Sequence, residues 1–260
     1  MRREAVRKIL LVLVGAVFLF STAMVVNHRL QMRSSAAYTE SVIQMAVVPA
    51  PERTDAETPE PTAGETEVAA PIQVDFDALR AENPDVIGWL YCPDTPINYP
   101  VVQGTDNAFY LHRRLDGSKN SAGTLFMDYR NADDGSEWNS VIYGHNMNNG
   151  SMFGTLTDYE AQAYFDAHPE LYWLTPERNY VIQLAAGFTT AADAELYTAF
   201  CPEEAERAHM IETWLADSDF VSGIVPEPRD QLVTCSTCAY DYQNARYVLI
   251  GVLKELGKAD

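Results

Sequence analysis

QLVTCSTCAYDYQNARYVLIGVLKEL, residues 231–256, is the stretch on which the reading of this chain turns. Its ends, QLVTCSTC and RYVLIGVLKEL, are short runs of β-branched, aromatic and aliphatic residues around the polar segment DYQNA, and they predict two consecutive strands. Cys235 and Cys238 form a C-x-x-C. On a strand, residues three apart face opposite sides with Cα atoms about 10 Å apart, whereas a disulfide needs less than about 7 Å. A redox C-x-x-C usually opens a helix, whose N-terminus lowers the thiol pKa. A structural zinc site needs two further ligands at short spacing, and the chain has no second C-x-x-C. One cysteine therefore faces the core and the other does not. Both can be read as small buried hydrophobes. Cys238, however, ends the β-prone run, and Arg246, eight residues on, enters the last strand between Ala245 and Tyr247. That arginine is either a strand-end side chain reaching solvent or a cation that lowers a thiol pKa and stabilises an oxyanion.

A nucleophilic cysteine needs a histidine near it in space. Of five histidines, His28 lies at the end of an apolar run, His168 precedes a proline, His209 falls in a helical pattern and His112 lies in a surface turn. His145 ends the apolar run NSVIYG beside Gly144, which permits close approach of backbone. Residues alone leave two readings, a Cys-His-Arg site or a hydrogen-bonded strand-end histidine.

Upstream, VIGWLYC, INYPVVQG, GTLFMDY, NSVIYGHNM, YVIQLAAGFTT and ELYTAF have strand composition with turn residues between them. Helices are predicted over residues 75–82, with Asp75 or Asp77 as cap, over 157–167, stopping by Pro169, and over 202–216. In the last, Pro202 suits the first turn, Glu203 and Glu204 suit the positive dipole end, and Ile211, Trp214 and Leu215 form an apolar face. Seven or eight short strands with helices in the connections predict a mainly β, α+β fold: a mixed barrel carrying insertions.

The N-terminus is of another kind. Residues 9–26, ILLVLVGAVFLFSTAMVV, carry no charge and are long enough to cross a bilayer as a helix. Residues 1–8 hold Arg2, Arg3, Arg7 and Lys8, which places the N-terminus in the cytoplasm and the body outside. No small-x-small cleavage site directly follows, so an uncleaved signal anchor is expected rather than a signal peptide. Residues 27–70 are expected to be a flexible acidic stalk rich in Pro, Thr and Glu, with a folded domain over 71–260. Residues 1–33 hold six basic side chains against Glu4 alone, so the remainder carries −24 within a total of −19. A body this acidic repels phosphate backbones, which excludes nucleic acid as a partner. The acidic residues read as a solvated surface, with no calcium-type cluster. The four cysteines are not spaced as a disulfide scaffold.

Several segments together resemble one family. STCAYDYQNARYVLIG, residues 236–251, resembles the T-L-x-T-C…R signature of sortases, in the class B form with Thr-Cys-x-Tyr. VIYGHNMNNGSMFGTLTDY, residues 141–159, is similar to that family's catalytic-histidine region, and INYPVVQGTDNAFYL, residues 97–111, to its early strand and substrate cleft. The 202–216 helix sits where class B sortases insert one between their sixth and seventh strands. In one departure, Thr234-Cys235-Ser236-Thr237-Cys238 stands for Thr-Leu-Ser-Thr-Cys, so Cys235 takes the leucine's place.

The resemblance implies an eight-stranded sortase barrel and a cysteine transpeptidase on a Gram-positive cell surface. It assigns Cys238 as nucleophile, His145 as proton carrier and Arg246 as oxyanion stabiliser, with Asn107, Leu111, Ser236 and Thr237 lining the cleft. It implies cleavage of a C-terminal sorting signal of surface proteins after Thr, and transfer to an amine of a peptidoglycan precursor or a pilin. Neither cofactor nor metal is implied. Two classes compete with this reading: a membrane-tethered thiol-disulfide oxidoreductase using Cys235 and Cys238, and a non-catalytic surface or adhesion domain in which Cys238 is unreactive.

Overall fold

The computed structural model describes residues 2–49, 70–132, 135–197, 203–239 and 244–257. The chain divides into two units, Met1–Ser41 and Val42–Asp260. Helix α1 runs over Arg2–Ala46. Among the described residues it is the one helix long and apolar enough to cross a bilayer, and Val17, Phe18, Leu19 and Phe20 along it are exposed.

The helix corrects the expectation that a stalk begins at residue 27. Residues 27–46 contain no proline or glycine and are rich in helix formers, and the first proline of the chain is Pro49. The helix therefore continues to Ala46, and strand β1, Val47–Pro49, follows. β1 pairs antiparallel with β2, Ile72–Val74, and Asp75 N–H donates to the Ala46 carbonyl at 2.8 Å. The rest of the expected stalk, residues 50–69, lies outside the described residues. Helix α2, Phe76–Glu82, starts at Asp75, whose carboxylate accepts from Ala78 N–H at 2.9 Å as an N-cap.

Eight strands then close a barrel: β3 Val86–Tyr91, β4 Asn98–Val102, β5 Leu125–Met127, β6 Asn139–Tyr143, β7 Glu170–Leu174, β8 Asn179–Ala191, β9 Leu232–Cys238 and β10 Ala245–Glu255. Their order around it is β10-β8-β7-β3-β4-β5-β6-β9. The β4–β5 and β6–β9 pairs are parallel and the others antiparallel, so the barrel is mixed. Two expectations are corrected here. The strand expected over ELYTAF does not start at residue 195: Glu195–Tyr197 forms a 3-10 turn that buries Leu196 and Tyr197 against the sheet's outer face, and residues 198–200 lie outside the described residues. The eighth strand is instead ELYWL, β7, whose five residues follow directly on the Pro169 helix stop and leave little pattern to read.

Every strand sends side chains into one interior cluster, for example Leu90, Tyr99, Leu125, Ile142, Trp173, Leu184, Cys235 and Leu249. The predicted 157–167 helix divides into a 3-10 turn, Leu156–Glu160, and α3, Gln162–Ala167, because Ala161 between them is extended. This break lets Tyr159 and Phe165 both reach the interior cluster. On the barrel's outside, Val141, Phe188, Val248 and Ile250 form a second cluster covered by Ile211 and Trp214 of α4, Glu204–Asp217. Trp214 stacks on Trp138 at 5.6 Å. Pro202 and Cys201 lie outside the described residues.

Candidate active site

The β9–β10 register places the first two groups. Cys235 is opposite Leu249 and Cys238 is opposite Arg246. Directly opposed residues of an antiparallel pair share a face, with Cβ atoms about 5 Å apart. Leu249 belongs to the interior cluster, as does Cys235, while Val248 and Ile250 belong to the outer one. By alternation Arg246 and Cys238 therefore lie together on the outer face, at the open end of both strands. Both are half-buried, and Arg246 Nη1 donates to the Ala245 carbonyl at 2.9 Å. On the far side of Arg246, Thr190 of β8 continues the row.

The parallel β6–β9 pair brings in the third group. Tyr143 is opposite Ser236, and the ladder runs on past the strand end. Gly144 N–H donates to the Ser236 carbonyl at 3.1 Å, and Thr237 Oγ1 donates to the Gly144 carbonyl at 2.9 Å. One step further, Asn146 Nδ2 donates to the Cys238 carbonyl at 2.7 Å. His145, held between these bonds, is thereby carried alongside Cys238. Glycine is needed at 144 because a Cβ there would run into Leu125 and stand 2.7 Å from the Phe153 ring.

His145 Nε2 lies 2.7 Å from the Leu111 carbonyl. A carbonyl only accepts, so Nε2 carries the proton and Nδ1 is the ring's basic nitrogen in the neutral form. Burial pushes the His145 pKa below the usual histidine value; the bond to Leu111 opposes this and neighbouring His112 reinforces it. The His112 ring stacks on His145 at 5.5 Å between centroids. A neutral imidazole held at one nitrogen, a thiol beside it and a guanidinium across the strand pair can exchange a proton and stabilise an oxyanion at one carbonyl.

The structure treats the four expected cleft residues differently. Leu111 contributes its carbonyl to His145, with its side chain half-buried. The Asn107 amide is held by its two ends, Nδ2 donating to Asp128 Oδ2 at 3.0 Å and Oδ1 accepting from Tyr129 N–H at 3.0 Å. Ser236 lies on the outer face and its hydroxyl pairs with the Tyr197 hydroxyl at 2.8 Å. Thr237 is opposite Tyr247 on the interior side, so its hydroxyl ties β9 to the end of β6. Sequence reasoning missed Asp128, Tyr143, Asn146 and Tyr197, which bond to Asn107, Cys238, Ser236 or one another. Only MDYR, a carboxylate and a guanidinium two apart just past a strand, carried any local signal for them.

The C-x-x-C redox reading fails on this geometry, because Cys235 and Cys238 are both free and on opposite faces of β9. Burial raises the Cys235 thiol pKa far above its ordinary value, leaving it inert. Among the described residues, no three His, Cys, Asp or Glu side chains are placed to hold a metal.

Known proteins share this fold. The profile of the sortase domain family matches residues 90–254. Sortase B of Listeria monocytogenes is 33% identical over 193 residues, covering 74% of this chain and 78% of its own length. The crystal structure of sortase B from Bacillus anthracis matches with a TM-score of 0.69 at 29% identity, over 87% of this chain and 99% of that one. Sortase B of Staphylococcus aureus, solved as a substrate complex and with triglycine, gives 0.66 in both cases, at 25% and 26% identity. Those matches cover 69% of this chain and 84% and 85% of theirs. With the closed mixed barrel and a free cysteine at the end of its β9 strand, these matches show that the chain belongs to the sortase family, in class B, and is a cysteine transpeptidase.

Proposed function

We propose that the chain is a membrane-anchored transpeptidase in which Cys238 is the nucleophile, His145 the proton carrier and Arg246 the oxyanion stabiliser. The observation that carries this reading is the register that sets Cys238 opposite Arg246 on β10, with His145 following its parallel neighbour β6. The Cys238 thiol gives its proton to His145 and attacks the threonine carbonyl of a sorting signal, and Arg246 stabilises the resulting oxyanion. The C–N bond then breaks, the leaving amine takes a proton from the His145 imidazolium, and a thioester remains. An acceptor amine loses a proton to the now neutral His145 and attacks the thioester. The C–S bond breaks, the Cys238 sulfur takes that proton from His145, and a new amide is formed.

The acceptor is an amine of a cell-wall precursor or a pilin. A Staphylococcus aureus relative solved with triglycine supports an amine-terminated peptide in that role, and one solved with substrate supports a sorting signal in the first. Anchoring rests on α1 and on the basic residues ahead of 9–26, which set the N-terminus inside and the catalytic unit outside the cell.

The test is transfer. The full chain in detergent micelles is incubated with Asn-Pro-x-Thr-x or Leu-Pro-x-Thr-x peptides and triglycine or a lysine amine. A ligated product joining the Thr carbonyl to the added amine is expected. Hydrolysis alone at saturating amine would contradict the transfer step.

A further inference from the structure

Asp128, just past β5, is a carboxylate whose side chain is 1% exposed. Burying a charge is costly unless every lone pair finds a donor. Here Oδ1 accepts from Arg130 N–H at 3.0 Å and Arg130 Nε at 2.8 Å. Oδ2 accepts from Arg130 Nη2 at 2.7 Å, Asn107 Nδ2 at 3.0 Å and the Tyr143 hydroxyl at 2.9 Å. Burial raises the Asp128 pKa, but these donors outweigh it and hold the carboxyl below its ordinary value. Burial and the adjacent carboxylate keep Tyr143 a phenol and hence a donor.

The contacts leaving Asp128 lead to segments that carry the candidate site. Asn107 belongs to the loop before Tyr110, and Tyr143 is the last residue of β6, just ahead of Gly144 and His145. Arg130 Nη2 also donates to the Tyr197 carbonyl at 3.1 Å. Tyr197 in turn stacks on Tyr143 at 6.0 Å and pairs through its hydroxyl with Ser236, two residues before Cys238. One carboxylate thus links the Asn107 loop, the histidine strand and the 3-10 turn that stands over the cysteine strand.

The geometry also settles how the Asn107 amide is turned. A carboxylate can only accept and a backbone N–H can only donate, so Nδ2 faces Asp128 and Oδ1 faces Tyr129. One N–H and one lone pair of that amide are left over, a donor–acceptor pair matched to an amide group of an extended peptide.

We infer that Asp128 is a positioning residue for substrate: clamped by Arg130, it orients Asn107 and Tyr143 and holds Tyr197 against Ser236, so that peptide affinity depends on it while thiol reactivity does not. This rests on the function proposed above and goes beyond it by naming what shapes the cleft.

The experiment compares wild type, Asp128→Asn and Tyr143→Phe as full chains in detergent. Steady-state kinetics use the sorting peptide that acylates wild type, and alkylation of Cys238 by iodoacetamide is followed by intact mass. Asp128→Asn should raise KM for the peptide about tenfold, with kcat changed far less, and Tyr143→Phe about threefold. Alkylation rates of Cys238 should stay within about twofold of wild type, which a general loosening of the fold would not allow. If Asp128→Asn does not fold, Tyr143→Phe decides alone. An unchanged KM in a folded variant, or alkylation falling in step with peptide turnover, would overturn the inference. A wild type that no sorting peptide acylates would remove the parent reading and this one with it.

Discussion

His145 is bonded at Nε2 to the Leu111 carbonyl, half-buried and stacked on His112, and each feature can be read as a proton inventory. Burial and His112 favour its neutral form, so its pKa lies below the value of about 6.5 for free histidine. NMR titration of the His145 ring should show this, and a value at or above 6.5 would contradict it. The stability consequence has a definite sign. The unfolded chain takes a proton first as pH falls below about 6.5, so the stability contributed by neutral His145 is lost on the way down towards its folded pKa. At this scale the sequence was legible where chemistry and spacing coincide. Residues alone offered Cys238, Arg246 and His145 as a candidate trio beside a purely structural reading, and the family resemblance supplied their roles. Asp128 and Tyr197 were not legible, because their meeting depends on long-range closure of the barrel, which no local pattern encodes.

Strand β6 and its exit are the element that places the histidine. Gly144 pairs with Ser236 and Thr237 on β9, and its Cα sits against Leu125 and Phe153. Gly144→Ala must push the strand end away from those side chains. It should lower kcat/KM by at least about tenfold, since a displacement of order 1 Å at a reacting group costs that much or more. Kinetics on the folded variant, with circular dichroism as control, measure this, and wild-type kcat/KM would show that the strand end is not what positions His145. Most elements were readable from composition, and the errors have physical causes. Residues 195–200 have strand-like composition, yet Leu196 and Tyr197 are apolar because they cover the outer face of the sheet, not because they extend it. β7 was hidden by its shortness, and α1 outran its apolar run because residues 27–46 have nothing to stop a helix.

Across the whole molecule, the compact unit begins at Val42, well ahead of the Pro-rich stretch. Val42 and Ala46 are buried, and β1 pairs with β2 through three residue pairs. A protein spanning residues 42–260 should therefore be more stable than one spanning 71–260, by about 1–3 kcal/mol from buried apolar surface. Urea denaturation of the two checks this, and equal midpoints would contradict it. The strongly acidic body and the basic N-terminus were legible from residue counts alone, and the mixed barrel from the succession of strand-like runs. What was not legible is that Cys238 and Arg246 lie on the outer face of the barrel, because that face depends on strand register rather than on residue type. The central claim is that Cys238, not Cys235, carries the acyl group. Intact mass of the full chain after incubation with sorting peptides tests it most directly, comparing wild type with Cys235→Ala and Cys238→Ala. A thioester adduct is expected in wild type and Cys235→Ala, reversed by hydroxylamine, and none in Cys238→Ala. An adduct that survives Cys238→Ala, or vanishes in a folded Cys235→Ala, would contradict it.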